Sequence, residues 1–119
     1  LLQMGFKAYI VGGRIKLTTE EVVGAECINN MRKYNFTKAF IGTNGIDLSF
    51  GFTTPDVEEA LVKAEAVGRT FVTYILSDGS KFEKTSAVTF AELNQCCIIT
   101  DRAPSGEFKE KTVIKEVML

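Results

Sequence analysis

Short apolar runs in this chain repeatedly empty into polar segments that contain glycine, and that rhythm restricts the available folds more than any other feature. Residues 6–11 end at Gly12 and Gly13; residues 38–41 run into Gly42-Thr43-Asn44-Gly45-Ile46-Asp47; residues 71–76 run into Ser77-Asp78-Gly79-Ser80-Lys81-Phe82. Runs of this length, rich in β-branched and aromatic side chains and closed by turn residues, read as strands. The run at 38–41 is expected to be buried. Between the strands the spacing turns helical. Val22 and Val23 form a short apolar patch closed by Gly24, read as a short strand, after which Ala25, Ile28 and Met31 recur at helical intervals up to Tyr34, read as a helix.

Thr54 before Pro55, with Asp56 and Glu58 in the next turn, predicts a second helix start. The pattern supplies a capping hydroxyl, a proline at the first helical position and acids at the positive end of the dipole. This helix is expected to run to about Val67 and to be closed by Gly68, with Val57, Ala60, Leu61 and Ala64 facing the core and Glu59 and Lys63 projecting the other way. Residues 96–100 read as a further buried strand ending at Asp101, and residues 112–117 as an alternating edge strand. The stretch 102–111, with Pro104 and Gly106, reads as a surface loop or short helix. The order strand, helix, strand, helix, strand predicts an α/β fold with a mainly parallel sheet and flanking helices. In such folds ligands sit beyond the carboxyl ends of the strands. Leu1 to Met4 read as the tail of a preceding helix, so the chain is expected to begin partway through a longer protein.

Composition narrows the function. A chain of 119 residues, 45% hydrophobic, is enough for one domain with a core. Its 14 basic and 15 acidic side chains leave a net charge of −1 with no basic block, which makes it a poor DNA-contacting surface by itself. Cys27, Cys96 and Cys97 are odd in number and lack CxxC spacing, which argues against a disulfide framework or zinc site and for a reducing compartment. Cys96 and Cys97 read as inert core residues. No apolar run approaches the roughly 20 residues that span a bilayer, so a cytoplasmic location and no membrane partner are expected. The absence of His removes the commonest general base and disfavours catalysis. No cofactor or metal is implied.

Three segments and their spacing carry a family resemblance: Val11-Gly12-Gly13-Arg14; Gly42 to Asp47 followed by Gly51-Phe52-Thr53-Thr54-Pro55-Asp56 and then Glu59, Ala60 and Lys63; and Ser77 to Phe82. Together they resemble the C-terminal sensor domain of DeoR-family repressors, with Phe52 where the family usually has Leu. The resemblance covers the chain from about Phe6 to Asp101. It implies a fold similar to ribose-phosphate isomerases and glucosamine-phosphate deaminases, used to sense a phosphorylated sugar. It also implies a winged helix-turn-helix for operator DNA and a first strand with a phosphate loop, both upstream of Leu1, and an oligomer of identical subunits. Within the family the match is nearest to fructose or tagatose operon repressors, with fructose 1-phosphate as the favoured effector.

On this reading the effector touches Gly13, Arg14, Gly42, Thr43, Asn44, Gly45, Asp47, Glu59, Lys63, Asp78 and Lys81. Glycine-freed backbone amides in the loop 42–47 would meet oxygens, and Asp47 would accept from sugar hydroxyls. Lys63, held by Glu59, and Lys81 would supply charge for the phosphate. The competing readings are plainer. Glu59 and Lys63 could be a surface ion pair worth roughly 0.2–0.5 kcal/mol. The loops could be ordinary connections, and the domain could be a dimerisation module. A sugar-phosphate isomerase or deaminase of the related fold would have to use Asp47 and Glu59 for proton transfer.

Overall fold

The computed structural model describes residues 14–16, 21–23, 28–29, 31–104 and 106–117. The first strand, expected at 6–11, and the turn at Gly12 and Gly13 lie outside them. Nine strands and two helices are described: β1 (Arg14–Lys16), β2 (Glu21–Val23), β3 (Phe36–Gly42), β4 (Gly45–Asp47), β5 (Gly51–Thr54), α1 (Val57–Gly68), β6 (Thr70–Ser77), β7 (Val88–Ala91), β8 (Cys97–Thr100), α2 (Gly106–Lys111) and β9 (Ile114–Glu116). Ile28, Asn29 and Met31 are helical, within the helix expected there.

The main sheet is parallel and runs β3-β6-β8-β9, so the fold is α/β as the rhythm of the sequence predicts, with 112–117 supplying the edge. Register places Ile41 beside Ile75 and Ile75 beside Ile98, a row buried against the rest of the core. The alternate row, Phe40 beside Tyr74 beside Cys97, faces the other way, because successive side chains on a strand point to opposite faces. The Phe40 and Tyr74 rings stack at 5.4 Å between centroids. Phe40 and Leu76 are half exposed and Lys38 is exposed, so β3 is buried on one face only, contrary to the buried strand expected at 38–41.

Two antiparallel units are formed, of which the sequence pattern anticipates only the short strand at Val22 and Val23, here part of β2. β1 pairs with β2, and β4-β5-β7 form a three-stranded sheet beside the carboxyl end of β3. Residues 45–47 are thus a strand and not loop. Gly45 is needed for close approach: a Cβ there would lie 2.3 Å from the Lys84 carbonyl oxygen. Gly42 and Gly45 do not use the positive φ open to glycine; Gly51, on the far side of the hairpin, does.

Helix α1 starts two residues later than the sequence suggests. Asp56 is its N-cap, its carboxylate accepting from the Glu58 amide at 2.8 Å, and Thr54 ends β5 instead of capping. The other end closes on Arg69, whose N–H bonds the Glu65 and Ala66 carbonyls; Gly68 is the last helical residue. The helix is also turned relative to expectation. Glu59, Ala60 and Val67 are buried, whereas Val57 and Leu61 are more than half exposed. Positions 59, 63 and 67 follow the i, i+4 spacing of a single face, and that face meets the sheets. Leu61→Lys is therefore expected to change the unfolding free energy of this chain by less than about 0.5 kcal/mol, read by urea denaturation. The stretch at 102–111 resolves into α2, which buries only Phe108, edge-on to Phe82 at 5.2 Å.

Candidate functional site

Because β3 and β6 are parallel neighbours, with Gly42 beside Leu76, the segments that follow them leave the same end of the sheet. An isolated bridge joins Ile46 to Phe82, and the Glu83 amide donates to the Ile46 carbonyl at 2.7 Å. Two of the three segments singled out in the sequence therefore meet. The third contributes only Arg14, which opens β1; Gly13 lies outside the described residues.

At the carboxyl end of β3, four of the predicted residues form one connected group through α1. The Lys63 ammonium donates to the Gly42 carbonyl at 2.9 Å and lies 5.4 Å from the centre of the Phe90 ring. One turn earlier on the helix, Glu59 is 5% exposed and its Oε2 accepts from the Thr54 hydroxyl at 3.1 Å. The same hydroxyl lies 3.1 Å from the exposed side chain of Asn44. Gly42, Asn44, Glu59 and Lys63 are thus linked, with Thr54 between them. Thr54 is fully buried, and the sequence reading spent it on a helix cap. Its signal was the adjacency of a strand-end hydroxyl to a glutamate five residues on.

The remaining residues of the loop hold the hairpin. The Thr43 hydroxyl reaches the Gly45 and Thr53 carbonyls at 2.9 and 3.1 Å. Asp47 Oδ2 accepts from the amides of Ser49 and Phe50, both at 2.9 Å, which closes the turn between β4 and β5.

After β6, Asp78 caps a single 3₁₀ turn, Gly79–Lys81, accepting from both the amide and the hydroxyl of Ser80. The Ser80 hydroxyl, then its amide, hold the Asp78 carboxyl below its usual value; Lys81 and Lys84 add to this. Asp101, at the end of β8, accepts from the Gly79 amide at 2.8 Å and so ties a third strand end to the same loop. The sequence reading marked Asp101 only as a strand terminus.

A hollow of about 520 Å³ lies elsewhere, lined by Phe71, Cys97, Lys109 and Thr112 at the amino ends of β6, β8 and β9. Ligand sites in parallel sheets form at the carboxyl ends, so this hollow is not taken as the site. Burial, and secondarily Cys97, push the adjacent Cys96 thiol up to about 12, in keeping with an inert core thiol. Among the described residues no cluster of three or more Cys, Asp or Glu side chains could hold a metal ion. No described helix is long and apolar enough to cross a membrane.

Residues 1–102 match the family model of the DeoR C-terminal sensor domain. The chain belongs to that family. It is 38% identical over 120 residues to the HTH-type transcriptional regulator FruR of Bacillus subtilis, covering 98% of this chain and 48% of that protein. It is 32% identical to the HTH-type transcriptional repressor GlcR of the same organism, covering 87% of this chain and 40% of the relative. It is 30% identical to a lactose phosphotransferase system repressor of Staphylococcus epidermidis, covering 89% and 42%. The sensor domain thus spans less than half the length of these relatives.

Proposed function

We propose that this DeoR-type sensor domain serves a cytoplasmic transcriptional repressor of sugar catabolism, not an enzyme, and takes a phosphorylated sugar at the carboxyl ends of β3 and β6. The observation that carries the reading is the linked group Gly42, Asn44, Glu59 and Lys63, which sets an ammonium and an exposed amide side chain at one strand end. Lys63 supplies positive charge for a phosphate, as does Lys81 from the adjoining turn. Fructose 1-phosphate is the effector we favour. Operator DNA is met by a winged helix-turn-helix in the part of the relatives that this chain does not span, in keeping with a net charge here of only −1. Effector binding favours one arrangement of the sensor and so changes the geometry of the DNA-reading heads. Assembly into a homo-oligomer belongs to the same reading, supported by the exposed apolar face at Phe40 and Leu76. Against an isomerase or deaminase stands the employment of its two acids: Asp47 Oδ2 closes a hairpin, and Glu59 Oε2 is bonded to Thr54.

Lys63→Met and Lys81→Met, each keeping most of the apolar stem, test the reading in the full-length protein. Hydrogen bonds to a charged group contribute roughly 1.5–3 kcal/mol, so each variant is expected to bind fructose 1-phosphate about tenfold more weakly or worse in calorimetric titration, with operator binding retained. Unchanged affinity in both variants would remove the lysines from the site. A wild type that binds no phosphosugar would sink the reading.

A further inference from the structure

Thr54 has one hydroxyl hydrogen and two oxygens facing it, Glu59 Oε2 and the Asn44 side-chain oxygen, both at 3.1 Å. A carboxylate only accepts, and a hydrogen bond to a charged acceptor is about twice as strong as one to a neutral amide. The hydrogen therefore goes to Glu59. That would leave Asn44 Oδ1 against a hydroxyl oxygen with no hydrogen between them. An asparagine amide has nearly the same shape with its oxygen and nitrogen exchanged, and hydrogen-bond bookkeeping is what assigns them. Turning the amide over puts Nδ2–H on the Thr54 oxygen and completes a directed chain from Asn44 through Thr54 to Glu59.

We infer that Thr54 is a positioning residue that holds the Asn44 amide with its carbonyl oxygen outward, so that this point of the site accepts a hydrogen bond and selects a hydroxyl of the effector rather than its phosphate. Thr54 can do so because it is 0% exposed and fixed at the end of β5, while Asn44 is exposed on the loop between β3 and β4. The polarity of the site is then divided. The Asn44 end takes the polyol part of the ligand, and the Lys63 end takes the anion. This inference rests on the effector reading above for what binds, but the orientation of the amide does not depend on it.

The test compares Thr54→Val, which keeps the shape and removes the hydroxyl, with Thr54→Ser, which keeps the hydroxyl, in the full chain. Fructose 1-phosphate and inorganic phosphate serve as probes. Thr54→Val is expected to weaken fructose 1-phosphate by roughly three- to tenfold and to leave inorganic phosphate unchanged, with Thr54→Ser restoring wild-type affinity. Equal losses for both probes, or none, would overturn it. A second measurement needs no ligand. In nitrogen-15 spectra one side-chain amide proton of Asn44 is expected to be shifted and protected from exchange in the wild type and in Thr54→Ser, and to lose both properties in Thr54→Val. An Asn44 amide that exchanges freely in the wild type overturns the inference even if phosphosugar binds. If the wild type binds neither probe, the effector reading fails while the amide signal still decides the role of Thr54.

Discussion

Phe52→Ala is expected to destabilise the chain by about 3–5 kcal/mol, the range for removing a buried aromatic ring from a core. Phe52 is 0% exposed, sits in the middle of the small antiparallel sheet opposite Ile46, and stacks on Phe90 at 6.2 Å. Phe90 in turn lies under the Lys63 ammonium, so the cavity opens beneath the candidate site. Urea denaturation gives the free energy. Phe52→Leu, the residue usual in the family at this position, is expected to cost far less, because it restores most of the lost volume. A loss below about 1 kcal/mol for Phe52→Ala would show that the sheet β4-β5-β7 is not packed as described.

Gly51→Ala is expected to cost about 2–4 kcal/mol and to lower the melting temperature by on the order of 10 °C. Two separate penalties meet at this residue. Its φ of 74° is a left-handed conformation that L side chains resist, and a Cβ there would lie 2.4 Å from the Ala91 carbonyl oxygen. That oxygen belongs to β7, which pairs with β5, so relief requires the strands to part. Gly68→Ala is the matched control: nothing lies within 4 Å of its Cβ position, and the residue is helical. Alanine is expected to be neutral or slightly stabilising there. Equal losses at the two glycines would remove the steric argument.

The strands β3, β6 and β8 were legible, because they combine β-branched or aromatic runs with abrupt polar stops. So was the helix beginning near Pro55, since propensity and dipole signals agree within a few residues. The sheet β4-β5-β7 was not. Its strands are only three or four residues long, and the Gly-Ile-Asp of β4 reads equally well as a ligand loop. The buried face of α1 was misread because a stripe of Val57, Ala60, Leu61 and Ala64 outweighs one containing Glu59 and Lys63 on hydrophobicity alone. What turns the helix is tertiary: Thr54 satisfies the Glu59 carboxyl, and Gly42 and Phe90 receive Lys63. The partners of Lys63 lie 21 and 27 residues away along the chain, beyond the reach of a local pattern, whereas Thr54 lies only five residues from Glu59. Of the residues picked out by motif, the structure brings Gly42, Asn44, Glu59 and Lys63 together, and the Thr54 hydroxyl that joins them was not among those picked.

The order of the parallel sheet, β3-β6-β8-β9, is also the order of the chain. During synthesis each new parallel strand can add to the open edge left by the one before it, so the sheet can grow in a single direction as the chain leaves the ribosome. Among the described strands of this sheet, none has to be inserted between two that are already paired. The β4-β5 hairpin, closed by Asp47, forms from neighbours in sequence and can wait at the end of β3 until β6 arrives. From the arrival of β6 until that of β9 the growing edge is an interior strand, β6 or β8, whose unpaired hydrogen-bonding groups lie beside the apolar face of Phe40, Tyr74 and Leu76. The nascent chain is therefore most exposed to mispairing between the emergence of β6 and that of β9, and a stall in that interval would trap it there.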